Sequence, residues 1–200
     1  MAEGGHMSIR NPQSVQKLRR WFRYLNPLVL LNWRLGLGPW LSLFPQWGGR
    51  YMVIAHRGRK SGKRRLTPLN YTEIEGEVYC VAGFGGIADW YRNLMANPQV
   101  EVWLPDGRWV GVAQDASDDS RRLVILRRVL RDSGFAGRLA GFHPQMSDEA
   151  LQALTADYRL VHIRRAAACT GAGGPGDLVW LWPVTTFGLL LALLWRPRRK

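Results

Sequence analysis

The sequence predicts an α+β fold in which about six mainly antiparallel strands close into a small barrel. Short apolar runs follow one another in hairpin order, and few helical segments interrupt them. The chain has 200 residues, enough for about one domain with a core of its own. A barrel is the favoured arrangement for such strands because closing the sheet removes its exposed edges.

Three of the predicted strands lie in the first half of the chain. Tyr51–His56 is a short apolar run, Arg65–Ile74 is a longer strand, and Glu77–Phe84 is its returning partner. The two longer strands are joined by Glu75-Gly76, a typical hairpin turn. This part of the sheet is therefore predicted to be antiparallel.

The second half of the chain alternates helices with the remaining strands. Asp89 is predicted to cap a short helix that ends before Pro98. A Gly-rich loop is expected in the region after Ser133. The other predicted elements are strands at Val100–Leu104, Arg108–Ala113 and Tyr158–Arg164, and helices at Asp118–Arg131 and Asp148–Thr155.

A Rossmann fold is disfavoured. Gly83, Gly85 and Gly86 form a GFGG run that Asp89-Trp90 follows, and no third glycine stands at the spacing of the GxGxxG motif. No GxGxxG motif therefore lies between a predicted strand and a helix.

The chain divides into five predicted segments. The first six residues resemble the remnant of a purification tag and are left out of the fold prediction. The lead-in is broken by Pro27, Pro39 and Pro45 and is predicted to form one or two short helices, Val15–Leu25 and Leu28–Leu35, and a loop. The segments are the tag remnant 1–6, a Trp/Arg-rich helical lead-in 7–47, a cofactor-binding barrel domain 48–165, a Gly/Pro linker 166–177 and an apolar tail with a basic end 178–200.

The charge balance points to an acidic partner. The sequence has 28 Lys and Arg against 15 Asp and Glu, a formal net charge of +13. A nucleic acid, an anionic membrane surface or a polyanionic cofactor would each complement that charge. The ten Trp residues favour a membrane interface or a planar ligand, since indole rings prefer both.

Cysteine and histidine usage gives no support for a disulfide framework or a metal site. The two cysteines, Cys80 and Cys169, are far apart, and Cys80 lies within a predicted strand. His56, His143 and His162 lack the spacing of metal ligands. We therefore predict no protein-built metal centre.

The apolar tail is a candidate membrane segment. Leu178–Trp195 is 18 residues long and uncharged, and as a helix it would reach about 27 Å against roughly 30 Å of hydrocarbon. A spanning tail would, however, place the basic end that follows outside the cell, against the positive-inside tendency. Without a recognisable signal peptide, the prediction is a cytoplasmic protein associated with the membrane through this tail, which spans, lies on or partly enters the bilayer. A core or dimer helix is the alternative.

The segment His56–Leu69 is the strongest functional signal. Six Lys or Arg residues lie in the nine positions from Arg57 to Arg65. We expect Gly58 and Gly62 to adopt positive φ and expose N–H groups, and the Ser61 hydroxyl to add a donor. Such a segment is predicted to bind phosphate.

Two sequence motifs, one following the other along the chain, resemble those of a known family. GRKSGKRRLTPL (Gly58–Leu69) and ADWYRNLMANPQVEV (Ala88–Val102) are similar to the deazaflavin-dependent nitroreductases. That family is a branch of the split β-barrel flavin and deazaflavin oxidoreductases. The resemblance covers roughly residues 26–116 and implies a split β-barrel of the FMN-binding, pyridoxamine-phosphate-oxidase type, with mainly antiparallel strands and flanking helices.

The resemblance also implies a cofactor, coenzyme F-420, with FMN as the alternative. By position in the motif, Lys60, Ser61 and Arg65 would bind its phosphate and acidic tail. Phe84 departs from the family pattern, which has a cation or hydroxyl there. The full set of predicted cofactor-binding residues is Arg59, Lys60, Ser61, Gly62, Arg65, Thr67, Pro68, Asn70, Gly83, Phe84, Gly85 and Trp90.

The implied activity is that of an oxidoreductase. The reduced deazaflavin would pass a hydride to a small-molecule acceptor such as a quinone, a nitroaromatic or an enone, so no covalent nucleophile is required. The sequence identifies no catalytic residue, and Tyr71, Tyr91 and Tyr158 are equal candidates for a hydrogen-bond donor to the acceptor.

Several alternatives remain open at this point. An FMN- or haem-binding relative of the same barrel or a non-catalytic deazaflavin carrier would share these motifs. A nucleic-acid-binding protein is less favoured, because the basic residues cluster around glycines rather than spreading along a face with aromatics. The expected partners are an electron acceptor, a membrane surface and a second copy in a homodimer, with no nucleic acid.

Overall fold

A computed structural model describes residues 24–43, 45 and 48–195. Within these residues six antiparallel strands form a closed barrel in the order β1-β2-β3-β6-β5-β4. The predicted α+β split barrel with flanking helices is confirmed. The strands are β1 Tyr51–Arg57, β2 Arg64–Ile74, β3 Glu77–Ala82, β4 Gln99–Leu104, β5 Gly107–Asp115 and β6 Arg159–Ala168.

Seven α-helices accompany the barrel in the described part of the chain. Helix α3 packs against β1 and β5, and α4 packs against β2 and β3. The helices are α1 (described over 24–34), α2 Gly38–Leu41, α3 Asp89–Ala96, α4 Arg122–Asp132, α5 Phe135–Leu139, α6 Asp148–Leu154 and α7 Leu181–Leu194. The tag remnant, the start of the lead-in and the basic end of the tail lie outside the described residues.

Strand β1 is buried on both of its faces, which explains its continuous apolar sequence. Met52 and Ile54 belong to the main barrel core. Val53 faces the other way and packs with Trp33 of α1 and Trp103 of β4. Helix α1 is therefore fixed on the outside of the barrel by its buried face.

Several predicted element boundaries are wrong, and three of them lie at the starts of α3 and α4 and at the end of β3. The N-cap of α3 is Ala88, and Asp89 is its first residue, where a carboxylate still interacts favourably with the helix dipole. Helix α4 begins at Arg122 instead of Asp118, because residues 118–121 form a turn in which the Arg121 N–H donates to Asp119 Oδ1. Strand β3 ends at Ala82, ahead of the turn that contains Gly85.

The predicted break at Pro27 is also wrong. Residues 24–34 are all helical, with Pro27 among them. The fixed φ of proline is close to the helical value, so its presence costs a backbone donor but does not force the chain to turn.

The predicted Gly/Pro linker is a bonded strap. Strand β6 runs to Ala168, and residues 169–180, here called the strap, cross the outside of the barrel toward α1. Arg34 and Asp177 form a bidentate ion pair at 2.9–3.2 Å. The other bonds are Cys169 N–H to Arg108 O at 2.7 Å, Arg108 Nη1 to Gly171 O at 2.9 Å, Arg64 Nη2 to Gly173 O at 3.1 Å, Gly176 N–H to Trp33 O at 2.9 Å and Leu178 N–H to Arg34 O at 2.9 Å.

The strap rests on a charged cluster centred on Glu101. This carboxylate accepts bonds from Arg108 at 2.6 and 2.7 Å, from Trp103 Nε1 at 2.6 Å and from Arg64 at 2.9 Å. Burial opposes ionisation of Glu101, but the bonds from Arg108 and Trp103 and the charge of Arg64 prevail and lower its pKa. The cluster therefore couples β4, β5 and the strap.

Removing the Glu101 charge is expected to destabilise the fold. Glu101→Gln leaves Arg108, with a side chain only 12% exposed, without its anionic partner, and a loss of about 3 kcal/mol in the free energy of unfolding is expected. The control is Glu75→Gln, whose carboxylate is 77% exposed and 3.5 Å from Arg121; it should cost almost nothing. Chemical denaturation of both variants measures the difference, and equal stabilities would contradict the role of the cluster.

The same cluster predicts a pH dependence. Because the pKa of Glu101 is lower in the folded state, its stabilisation is present above the ordinary carboxyl pKa and is lost as the pH falls through the folded pKa. The stability difference between wild type and Glu101→Gln should therefore shrink on acidification, as followed by thermal unfolding at several pH values.

Helix α7 follows the strap and makes few contacts with the domain. It has 14 residues, Leu181–Leu194, none of them buried. In the described part of the chain, no helix has both the length and the apolar character needed to cross a membrane.

Candidate functional site

Two adjoining cavities lie at one side of the barrel. The larger, of about 500 Å³, is here called the basic cavity. The smaller, of about 250 Å³, is here called the apolar cavity. Both are lined by Thr67, Phe84 and Trp90, so the two cavities meet at these three residues.

The basic cavity lies between the β1–β2 turn and the start of α3. The turn contributes the basic motif, and α3 with the residue before it contributes the opposite wall. The lining residues are His56, Gly58, Arg59, Lys60, Ser61, Arg65, Leu66, Thr67, Phe84, Ala88, Asp89, Trp90 and Asn93.

Arg59 fastens the basic turn to α3. Its backbone N–H and its Nη1 both donate to Asn93 Oδ1, at 3.1 and 2.9 Å, and its Nη2 lies 3.0 Å from Asp89 Oδ1. Asn93 is 4% exposed, so the two hydrogen bonds from Arg59 end on a buried side chain. The charge of Arg59 is balanced by Asp89, and its main effect is to position the turn.

The two glycines of the motif act differently from the prediction. Gly62 has the expected positive φ of 63°. Gly58 does not; a Cβ there would lie 2.8 Å from Ser61 Oγ and 2.9 Å from Arg65 Nε, so a larger residue would make these two side chains shift. The Gly58 N–H donates to Lys63 O and the Gly62 N–H to Gly58 O. The expectation that these N–H groups face a ligand is therefore wrong, because they stabilise the turn itself.

Half of the six basic side chains in this segment line the cavity. Arg59, Lys60 and Arg65 do so, whereas Arg64 belongs to the Glu101 cluster on the outside of the barrel. Arg57 and Lys63 are exposed and line neither cavity. The charge available to an anionic ligand is consequently smaller than the sequence suggests.

A buried histidine supports the junction of the cavities. His56 is 3% exposed, and its Nε2 lies 3.0 Å from Thr67 Oγ1. Burial lowers the pKa of His56, and the charge of Arg65 lowers it further, which favours the neutral ring. Sequence reasoning assigned no role to this residue; its position at the end of a strand directly before the basic motif was the available signal.

One wall of the apolar cavity is formed by α4 and α5, which the sequence did not connect with a site. The amphipathic pattern of α4 was recognised, but its partner across the cavity was not. The lining residues are Asn26, Thr67, Pro68, Leu69, Asn70, Val81, Gly83, Phe84, Trp90, Val129, Leu130, Ser133, Ala136, Gly137, Leu139, Ala140 and Tyr158.

Ten of the twelve predicted cofactor-binding residues line one or both cavities. Pro68, Asn70 and Gly83 are on the apolar side. Gly62 and Gly85 line neither cavity. Gly85 has a φ of 62°, and a Cβ would lie 2.4 Å from Asp157 O, so it shapes the turn below Phe84.

Only one of the three candidate tyrosines lines a cavity. Tyr158 lies in the wall of the apolar cavity, and burial raises its pKa. The Tyr91 hydroxyl instead donates to Asp115, and burial together with this bond raises its pKa to about 12. Tyr71 is part of the barrel core. The structure thus distinguishes three tyrosines that were equal candidates for the hydrogen-bond donor in the sequence.

Within the described ranges, no three His, Cys, Asp or Glu side chains come together as metal ligands do. The site is instead suited to an organic ligand with two parts. A planar, weakly polar head fits against Phe84 and Trp90, and an anionic tail fits beside Lys60 and Arg65. Barrel and site together define a protein of the flavin- or deazaflavin-binding split-barrel class.

Comparison with known families agrees with this class. Residues 43–141 match the family described as F420H(2)-dependent quinone reductase. Its members are oxidoreductases that use coenzyme F-420. A Mycobacterium tuberculosis protein that carries the same name is 38% identical over 76 residues, which cover 36% of this chain and 64% of the relative.

Solved structures of low sequence identity are also similar to this chain. A Listeria innocua protein described as a pyridoxamine 5'-phosphate oxidase has a TM-score of 0.43 at 14% identity, over 59% of this chain and 85% of that chain. A structure described as an F420-H2 dependent reductase has a TM-score of 0.39 at 23% identity, over 57% of this chain and 94% of that chain.

Proposed function

We propose that this protein is a reductase that binds coenzyme F-420 across the two cavities and reduces a quinone. The observation that carries the proposal is the junction at Thr67, Phe84 and Trp90, where a cationic cavity adjoins an apolar one. A flavin-like cofactor, with a planar ring and an anionic side chain, needs both environments side by side. The family of residues 43–141 supports the same cofactor.

The basic cavity is suited to the phosphate and carboxylates of the cofactor tail. Lys60 and Arg65 supply positive charge, and the Ser61 hydroxyl supplies a further donor. Arg59 holds the turn in place through Asn93 and Asp89. FMN has a single phosphate, so it would leave part of this cationic surface without an anionic partner.

The junction and the apolar cavity are suited to the ring and the acceptor. When bound there, the reduced cofactor supplies a hydride. Phe84 and Trp90 offer aromatic surface to a planar ring, and the neutral His56 fixes the Thr67 hydroxyl beside it. The walls from α4 and α5 line the space proposed for the acceptor with mainly apolar groups.

Tyr158 is the proposed hydrogen-bond donor to the acceptor oxygen that gains negative charge. Its pKa is raised by burial, so the hydroxyl keeps its proton at neutral pH. Tyr158→Phe should lower kcat for a quinone about tenfold, the value of one hydrogen bond made in the transition state. Tyr71→Phe, a buried tyrosine that does not line either cavity, is the matched control. Steady-state oxidation of the reduced cofactor measures both, and unchanged kcat in Tyr158→Phe would remove it from the site.

The function itself is tested by titration and turnover. Quenching of deazaflavin fluorescence at micromolar protein, without binding of FMN or haem, supports the cofactor assignment, and the reverse pattern overturns it. Tight binding without oxidation by any quinone would instead indicate a carrier. Nitroaromatics and enones are further acceptors that we propose, because an apolar cavity does not discriminate strongly among planar electron-poor molecules.

Association with a membrane and with a second copy are part of the proposal. Exposed apolar residues of α7 support the former. The homodimer expected of a split barrel is measured by light scattering of the detergent-solubilised protein, and a monomer at all concentrations would contradict it.

A further inference from the structure

Helix α7 is apolar around its whole circumference. It has no charged residue and no buried one, and its large side chains are exposed, among them Phe187 at 64%, Leu189 at 66% and Leu190 at 53%. An amphipathic surface helix would place polar residues on its outer side. A helix of this composition requires an apolar environment that the domain does not provide.

The strap holds the start of α7 against the end of α1. Trp182 Nε1 donates to Leu35 O at 3.0 Å, and the ion pair of Arg34 with Asp177 lies directly before the helix. Residues Leu178 and Gly176 also bond to the end of α1. The beginning of α7 is therefore fixed on the domain, unlike a tail on a flexible linker.

Helix α1 carries a second apolar face beside its buried one. Tyr24, Leu28 and Leu31 are 69%, 57% and 44% exposed, and their spacing of four and three places them on one side of the helix. The buried face, with Trp33, packs on the barrel. Trp40 of α2, 66% exposed, extends the exposed apolar surface. We call the α1 stripe, Trp40 and α7 the lipid face.

We propose that the lipid face inserts into a single leaflet of an anionic bilayer. A helix of 14 residues is about 21 Å long, short of the roughly 30 Å of hydrocarbon that a spanning helix must cross. Trp180 and Trp182 at its start and Trp195 beyond its end are exposed, and indoles prefer the level of the headgroups. Both ends of α7 are thus suited to a membrane interface, and the short length of the helix favours the same interface for both.

Charge favours a bilayer over a protein partner. The chain has a formal net charge of +13, and four of its last five residues are Arg or Lys. Basic residues next to an apolar segment bind anionic headgroups. With both ends of α7 in one interface, the basic end stays on the side of the barrel domain, which agrees with the positive-inside tendency.

Helix α1 contributes to both the lipid face and the apolar cavity. Asn26 lines that cavity, and because it is two residues from both Tyr24 and Leu28 it lies on the side of α1 opposite the exposed stripe. An acceptor dissolved in the leaflet would reach the cavity past this helix without crossing bulk water. This route rests on the proposed reductase function, whereas insertion of the lipid face does not.

Flotation of the full-length protein with vesicles tests insertion. Vesicles of phosphatidylethanolamine with phosphatidylglycerol should bind the wild type more tightly than phosphatidylcholine alone. Leu190→Asp in α7, and Leu28→Asp with Leu31→Asp in α1, should each weaken binding about tenfold or more. In each case a leucine that would lie in the hydrocarbon of the leaflet is replaced by a charged residue. Val124→Asp makes the same kind of change at a site 71% exposed on α4 and should have no effect.

Unchanged flotation of both the α7 and α1 variants would overturn the proposal. So would a stable dimer in the absence of lipid that Leu190→Asp dissociates, because a second copy would then cover α7. Loss of binding by the α7 variant alone would remove α1 from the lipid face. Thermal unfolding checks that each variant remains folded.

Labelling of the chain end tests the single-leaflet arrangement. Lys200→Cys is made in a Cys169→Ser background, where the remaining Cys80 is fully buried. A membrane-impermeant maleimide added outside preformed vesicles should label position 200 completely, because both ends of α7 stay on the outer side. Protection of that position would show that the tail crosses the bilayer and would overturn the proposal.

Assays with two different quinones test insertion of the lipid face separately from the reductase function. With a water-soluble short-chain quinone, the α1 double variant should match the wild type. With a long-chain quinone in the vesicles, its rate should fall in parallel with binding. No oxidation of the reduced cofactor by either quinone, together with normal flotation, would overturn the reductase function and leave the lipid face intact.

Discussion

Replacing Lys60 and Arg65 together by alanine is expected to weaken the binding of coenzyme F-420 by at least about a hundredfold. Each charged hydrogen bond to an anionic group contributes roughly 1.5–3 kcal/mol, and every 1.4 kcal/mol is about a factor of ten. Both side chains line the basic cavity, and no ion pair to either is present within the described residues. Quenching of deazaflavin fluorescence gives the dissociation constants.

The matched control lies in the same turn. Arg57 and Lys63 are exposed and line neither cavity, so Arg57→Ala with Lys63→Ala removes the same charge without touching the proposed tail site. This variant should bind within about threefold of the wild type, the size of a screened long-range effect. Equal losses in the two double variants would mean that net charge, and not the cavity, attracts the cofactor.

Filling the apolar cavity is expected to have the second large effect. Ala140 lines the cavity of about 250 Å³, and Ala140→Trp would place an indole in the space proposed for the acceptor. The value of kcat/KM for a quinone should fall by at least about tenfold, equivalent to roughly 1.4 kcal/mol of lost transition-state binding. Cofactor affinity should change much less, since the tail binds on the other side of Thr67.

Ala153→Trp provides the comparison for that variant. Ala153 is an exposed residue of α6 that lines neither cavity, so an indole there should leave both kinetics and stability close to wild type. If Ala140→Trp weakens cofactor and acceptor equally, the ring itself occupies the apolar cavity. If it affects neither, the acceptor binds elsewhere.

Much of the fold follows from local sequence patterns. The strand from Tyr51, the Glu75-Gly76 turn and the return strand from Glu77 were predicted because apolar runs and turn residues act over a few positions. The errors lie at ends of elements, as at Asp89 and at residues 118–121, where one hydrogen bond decides whether a residue is inside a helix.

The candidate site was predicted in part. The motif residues Lys60, Ser61 and Arg65 were found because they are contiguous in sequence. The wall from α4 and α5, with Ala140, was missed because its residues are brought opposite Thr67 only by packing of those helices on the barrel. A pattern of apolar residues in one helix does not reveal what that helix faces.

The sequence by itself therefore determined the strand order of the hairpins, the family motifs and the presence of a cationic turn, since each depends on neighbouring residues. Only the tertiary structure decided what each cation does. Arg59 is balanced by Asp89, and Arg64 is held by Glu101, in both cases across about 30 residues or more of chain. Such pairings follow from how strands and helices meet in space, so the charge that is left for a ligand, at Lys60 and Arg65, becomes visible only when the fold is known.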